Sequence, residues 1–434
     1  MDKALRHFND MTTRITQFGR LAALGGALLL AACSASRKAA PPPPATQAPA
    51  DTLLAGLLRQ HPADFDSVLR NAATWGVQVL YTRIDRDAAN RPRLSHHSYA
   101  LNPDRYFYPA STVKLPVAAL ALQRLQELKG TGADRNSTLI TEAATPRQTA
   151  VYNDPSSPDG RPTVAQYIRK ILLVSDNDAY NRLYEFLGQE YINRELQRRG
   201  YDSVQIVHRL NIFLPEAENR AANPVRLLDS SGRLLHRKPL ERSGMVYHVR
   251  HDSAGTGFYR GDSLVRAPFD FSKKNRLPLR DLHSILISLI LPEAVPERQR
   301  FRISEDDRAF LLDYISRWPR ESDYPAYDSS YKDTYSKLLL YGGEAPAIDG
   351  VRVYNKEGDA YGFLIDAAYI VDKAQGIEFF LSAVISCNPD GIYNDDRYAY
   401  RVGFRFLQRL GEVLLEHERA RPRERKADLG GLPR

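Results

Sequence analysis

Ser111 and Lys114 stand one turn apart if a helix begins at residue 111, which stacks a hydroxyl and an amine on one face. The run behind them, Leu115 to Leu128, is apolar almost all round, as a helix through the middle of a domain should be, and Pro116 is tolerable only in its first turn. A serine at the start of a buried helix lies beside free backbone N–H groups that favour an oxyanion, and a desolvated lysine beside it can act as a base. Two further groupings follow: Ser175-Asp176-Asn177 inside a helical pattern, and Lys356-Glu357-Gly358 between strand-like runs. Each also has a plain structural reading. Ser175 and Asp176 can cap a helix turn, and Lys356 and Glu357 can be a solvated pair on an edge strand.

The elements that must position these groups read as mixed α+β. A first helix is expected at Leu53 to Trp75, then a strand from Val77 to Ile84 whose partner ends at Tyr99 to Leu101. From about 115 to 290 the pattern is mainly helical, with Thr163 capping a helix that runs to Leu187. Pro224 to Arg237 reads as a hairpin turning at Ser230 to Gly232, and Gly255-Thr-Gly257 as a flexible loop. Helices at Leu277 to Leu291 and Ser304 to Trp318 come next. Three strands (Val351–Tyr354, Phe363–Val371, Ile377–Ser386) and a closing helix from Tyr398 to Glu416 complete a sheet built from both chain ends.

The ordered set Ser-x-x-Lys, Ser-Asp-Asn and Lys-x-Gly resembles that of class A β-lactamases and penicillin-binding proteins. Arg105 to Lys114 is similar to their approach to the nucleophile, Thr163 to Gly188 to their helix through Ser-Asp-Asn, and Lys356 to Asp366 to their active-site edge strand. The likeness covers about residues 52–420, with an insertion at about 223–272. It implies a β-lactamase/transpeptidase-like fold: an antiparallel sheet flanked by helices, plus a mainly helical subdomain at about 115–290. It also implies roles. Ser111 is the nucleophile of an acyl-enzyme, Lys114 its base or the base's orienter, and Ser175 a proton relay to the leaving nitrogen held by Lys356. Asn177 binds a substrate amide, and Glu357, Gly358 and Asp359 border the substrate, the N–H groups of Ser111 and Asp359 forming the oxyanion hole.

Two residues depart from the class A pattern. Leu214, followed by Pro215, stands where the family carries the glutamate that activates the deacylating water, leaving Glu216 and Glu218 as candidate substitutes. Glu357 replaces the Thr or Ser that helps bind the substrate carboxylate, and a carboxylate there repels an anionic ligand unless it turns away or is protonated. The implied activity is serine acyl transfer on a β-lactam or a related amide or ester. The alternatives are a peptidoglycan D-alanyl peptidase, an esterase, or a silent module that binds cell-wall peptides. The partner is then a small-molecule β-lactam or a cell-wall peptide, and the protein is expected to be a monomer with no cofactor.

Composition narrows the remaining classes. With 43% hydrophobic and 26% charged residues the chain is ordinary globular protein. The net charge of +8 is spread over the sequence with no basic stripe, which argues against nucleic acid. No His-Glu-x-x-His or Cys/His cluster points to a metal, and His248 and His251 read as surface residues. The basic start, the apolar run Leu21 to Leu30 and Leu30-Ala-Ala-Cys33 resemble a bacterial lipoprotein signal (residues 1–32) with Cys33 as the lipidated residue. A Pro/Ala-rich tether follows at 33–51, and the location implied is the bacterial cell envelope. Cys387, in an apolar run, is expected to be an inert core thiol, and residues 421–434 a disordered basic tail.

Overall fold

Alternation in the last three long strands decides how the sheet is covered. In the computed structural model, which describes residues 51–433, these strands are β3 (Val351–Ala360), β4 (Phe363–Asp372) and β5 (Ile377–Ser386), and every residue of β4 and β5 is buried. They join β1 (Gln78–Arg86) and β2 (Pro92–Tyr99) in one antiparallel sheet of order β3-β4-β5-β1-β2. Residues from both ends of the chain therefore build it, as expected. Leu364, Ile370, Phe379 and Leu381 point to one face; Phe363, Ile365, Tyr369 and Phe380 point to the other.

The terminal helices cover the first face. They are α1 (Thr52–Gln60), α2 (Pro62–Leu69), α3 (Ala72–Trp75) and the closing helix Tyr400–Ala420, which bring Leu54, Phe65, Leu407 and Leu414 into that core. The single helix expected from 53 to 75 is thus three. Pro62 has no N–H to continue the first and begins the second, and Gly76 ends the third in the left-handed region (φ 57°).

The second face carries the helical body. Its elements are α4 (Lys114–Glu127), α5 (Val164–Val174), α6 (Asn177–Leu187), α7 (Gln189–Arg198), α8 (Glu216–Asn219), α9 (Leu279–Ile290) and α10 (Glu305–Ser316). Two caps read from the sequence form: Thr163 Oγ1 accepts from Gln166 N at 3.0 Å and Ser304 Oγ from Asp307 N at 3.1 Å. No helix among the described residues is long and apolar enough to cross a membrane.

The segment 223–272 is all short strands. Val225–Leu228 and Leu234–Lys238 form the expected hairpin and extend a small sheet with Thr138–Thr141. Gly255 and Gly257 are not in a free loop, as had been expected: a side chain at Gly255 (φ 74°) would strike Gly391 O, because Gly257–Arg260 pairs with Ile392–Tyr393. The tail is also ordered against the sheet instead of disordered. Ala427 N donates to Gly376 O (3.2 Å), Lys373 Nζ to Leu432 O (2.9 Å) and Tyr354 OH to Pro433 O (2.5 Å), and Leu429 is buried. Leu429 and Leu432 supply apolar surface that a count of basic residues overlooks. Cys387 is a buried free thiol. The signal, Cys33 and nearly all of the tether lie outside the described residues.

Candidate active site

Ser111 sits in a single 3-10 turn, Ala110–Val113, that runs directly into α4. Ala110 before it holds φ 47°, an uncommon conformation for a residue with a Cβ and one that bends the chain sharply into the turn. Strand β3 crosses this turn in near contact. A Cβ on Gly358 would lie 2.9 Å from both Ser111 N and Pro109 O, so only glycine lets the strand backbone pass. That approach sets the Asp359 backbone beside the Ser111 N–H, the pair expected to form an oxyanion hole.

The helical pattern from 163 to 187 breaks at Ser175-Asp176. Ser175 takes the left-handed conformation (φ 59°, ψ 40°) at the end of α5, and Asp176 caps α6 by accepting from Ala179 N at 2.7 Å. The break turns Ser175 O and Oγ and the Asn177 side chain toward α4. The capping role and the functional role of this triplet therefore coexist.

Lys114 Nζ, fully buried, lies 2.8 Å from Ser111 Oγ, 2.5 Å from Ser175 O, 2.8 Å from Asn177 Oδ1 and 3.2 Å from Ser175 Oγ. The carbonyl and the amide oxygen can only accept. With Ser111 Oγ they match the three hydrogens of an ammonium; once Lys114 has lost its proton, the carbonyl and the amide take its two hydrogens and its lone pair meets the Ser111 hydroxyl. Burial, then the charge of Lys356, holds the Lys114 ammonium well below the ordinary lysine range, which favours loss of its proton. Lys356 Nζ, likewise buried, donates to Ser175 Oγ at 2.9 Å. Ser111, Lys114, Ser175 and Lys356 are thus one hydrogen-bonded chain, and Asn177 holds Lys114 as well as facing the site.

Glu357 neither turns away nor is protonated. Its Oε2 accepts from Lys356 Nζ at 2.6 Å, and both side chains are buried (0% and 8% exposed). Burial raises its carboxyl, but the charge and hydrogen bond of Lys356 outweigh that and leave it below the ordinary carboxylate range. The reading of Lys356 and Glu357 as a solvated pair fails, because the neighbouring segment 334–341 lies along the strand and excludes water. Asn355 Nδ2 donates to Ser336 O (2.8 Å), and Leu338 N and Leu339 N donate to Asp366 Oδ2 (3.0 and 2.9 Å).

The two carboxylates considered for deacylation are directed elsewhere. Exposed Glu216 pairs with Arg220 (3.0 Å) and Lys273 (3.5 Å), and Glu218 accepts from Thr145 Oγ1 (3.3 Å). Leu214 is held by its carbonyl, which accepts from Asn219 Nδ2 at 3.0 Å. The loop is anchored by Arg209, whose buried pair with Glu185 measures 2.9 Å.

Sequence reasoning missed the aromatic walls. Tyr108 stacks on His208 (6.0 Å, 3°) and meets Tyr361 edge-on (5.1 Å), while Phe271, from the 223–272 segment, packs against both. Burial lowers His208 to about 4; Asn275 N donates to its Nε2, so the neutral ring carries its proton on Nδ1, toward Arg209 O. A second wall is a ladder, Tyr327–Tyr331–Tyr335, with centroids 5.1 Å apart at each step. Its spacing of four was legible in the sequence; its position beside β3 was not.

Residues 86–255, less than half of the chain, match the model of the β-lactamase enzyme family. No curated protein matches. Solved structures that resemble the chain include a β-lactamase from Desulfarculus baarsii (15% identity, TM-score 0.46, covering 83% of this chain and 96% of that one). An ancestral class A β-lactamase has 18% identity and TM-score 0.44, over 85% of this chain and 99% of that one. A PBP-A mutant, an acyl-enzyme complex with penicillin G, has 17% identity and TM-score 0.44, over 85% and 100%.

Proposed function

We propose that this chain is an acyl-transfer enzyme of the β-lactamase/transpeptidase-like serine hydrolase superfamily, acting on a β-lactam or a related amide or ester; the family match over residues 86–255 supports this reading. The observation that carries this reading is the arrangement about Lys114 Nζ, with Ser111 Oγ at 2.8 Å and both remaining hydrogens engaged by Ser175 O and Asn177 Oδ1. Lys114 takes the Ser111 proton as Oγ attacks the carbonyl carbon. The Ser111 and Asp359 N–H groups receive the developing oxyanion, and Ser175, held by Lys356, passes a proton to the leaving atom. A silent binding module has no need of a fully buried lysine shifted toward its neutral form beside a serine whose turn is entered through the strained Ala110, since each costs stability. The protein would work at the cell envelope, anchored through a lipid on Cys33.

The test is labelling with an uncharged fluorophosphonate. Wild type should be labelled at Ser111, Ser111→Ala should not, and Lys114→Ala should react slower by about two to four powers of ten. Labelling that survives Ser111→Ala would refute the mechanism.

A further inference from the structure

The positive charge of Lys356, which could attract a substrate carboxylate, already has a partner inside the protein. Glu357 occupies it at 2.6 Å, and both groups are packed away from water. Residues two apart on a strand share a face, so Asp359, which is exposed, adds a second carboxylate on the same side of β3 as Glu357. Asp176 adds a third at the start of α6. Burial and the charge of Lys356 both disfavour the ammonium form of Lys114. Lys274 sits over the rings of Phe213 and Tyr361, in the aromatic wall that Tyr361 shares with Tyr108 and Phe271.

The tyrosine ladder stands on the acidic side. Ser336, next to Tyr335, has its carbonyl bonded by Asn355 beside Lys356, and its Oγ donates to Leu173 O, two residues before Ser175. That places Tyr335, 45% exposed, at the mouth between β3 and the Ser175 turn. Its phenol is raised by burial and by Tyr331, Asp359 and Glu357, and that of Tyr327 by burial and then Asp176, which puts ring faces and carboxylates within electrostatic reach of each other. Carboxylates beside aromatic faces form a receptor for an ammonium group.

We infer that Glu357 determines the specificity of this site, selecting acyl donors whose leaving group carries an ammonium cation over those whose leaving group carries a carboxylate. The inference rests on the acyl-transfer reading. Lys356 and Ser175 serve the leaving atom, so the groups around them meet the leaving side of the donor. In the step concerned, Ser111 Oγ bonds to the carbonyl carbon and the bond from that carbon to the leaving atom breaks. The Ser111 proton, taken by Lys114, goes to the departing group.

Benzoyl thioesters of three thiols test this: thiocholine (cation), its uncharged tert-butyl isostere, and mercaptopropionate (anion), with thiol release measured for wild type, Glu357→Gln, Tyr335→Ala and Tyr335→Phe. Taking each rate relative to alkaline hydrolysis of the same thioester removes differences in intrinsic reactivity. Wild-type kcat/KM should fall in the order cation, neutral, anion, with cation and anion separated by on the order of ten- to a thousand-fold. Glu357→Gln should lower the cation and raise the anion, so that their ratio drops at least about tenfold. Tyr335→Ala should weaken the cation alone, through KM, and Tyr335→Phe should retain it. If Glu357→Gln fails to fold, salt decides in the wild type: added KCl should slow the cationic donor and speed the anionic one. Preference for the anion, or a ranking that Glu357→Gln and salt leave unchanged, overturns the inference. If Ser111 reacts with the uncharged fluorophosphonate, such a failure leaves the acyl-transfer reading standing; absence of that reaction removes both.

Discussion

Lys114 carries the chemistry because of what surrounds its nitrogen. In the proposed mechanism its neutral form is the base, so acylation should rise as pH rises through its pKa and level off well below the ordinary lysine range, since burial and Lys356 both favour loss of the proton. Each neighbour has its own sign. Glu357 favours the ammonium, so Glu357→Gln should move the inflection to lower pH; Lys356 opposes it, so Lys356→Met should move it to higher pH. The pH dependence of inactivation by the uncharged fluorophosphonate measures both shifts, and an inflection that ignores either substitution would mean that another group titrates. The hydroxyl, the amine and their one-turn spacing were legible in the sequence. Lys356 and Glu357 were legible as a pair but not as a buried one, because the segment 334–341 that covers the strand edge is placed by tertiary contacts.

Elements place these residues through close approaches and breaks. Strand β3 reaches Ser111 only because Gly358 has no side chain. Gly358→Ala should push the strand off the Ser111 turn and remove one oxyanion donor, lowering acylation about a hundred- to a thousand-fold while the fold, followed by circular dichroism, persists. Full activity in that variant would show that Asp359 N–H is not a donor. The loop anchored by Arg209 gives the second element-scale expectation. If Leu214 stands at the water-activating position, as the family resemblance implies, then with Glu216 and Glu218 paired elsewhere hydrolysis of the acyl-enzyme should be slow, giving a burst of about one equivalent of product before a slow steady state. Leu214→Glu should speed the steady state and leave the burst rate nearly unchanged. Rapid turnover without a burst in the wild type would place the deacylating base outside this loop. The helices, the strands and their caps were readable from periodicity. The cap at Ser175 and Asp176 was legible as a possibility in the polar run Ser175 to Asp178; the left-handed conformation of Ser175 that ends one helix there was not.

At the scale of the molecule, the sheet joins chain ends, so the Ser111 turn, the Ser175 turn and β3 meet although they are far apart in sequence. The ordered tail adds its own hydrogen bonds to the far end of the β3–β4 pair and the β4–β5 turn. The lipid anchor belongs to this scale too. With Leu30-Ala-Ala-Cys33 ahead of a proline-rich stretch, the full-length protein expressed in a bacterium should fractionate with membranes, and Cys33→Ser should release it or leave the signal uncleaved. A soluble wild-type protein would exclude lipidation.

The sequence by itself determined the α+β class, the order of the three motifs and the identity of the reacting groups, because side-chain chemistry and periodicity are local. It also marked Leu214 and Glu357 as departures. Only the tertiary structure decided what those departures do. Whether Glu357 repels, turns away or pairs depends on Lys356 being buried beside it under the segment 334–341. Whether Glu216 or Glu218 can serve the acyl-enzyme depends on where the Arg209-anchored loop aims them. The electrostatic character of the site is likewise a property of groups brought together from α4, the Ser175 turn, β3 and the tyrosine ladder, since charges act through space and low dielectric, not along the chain.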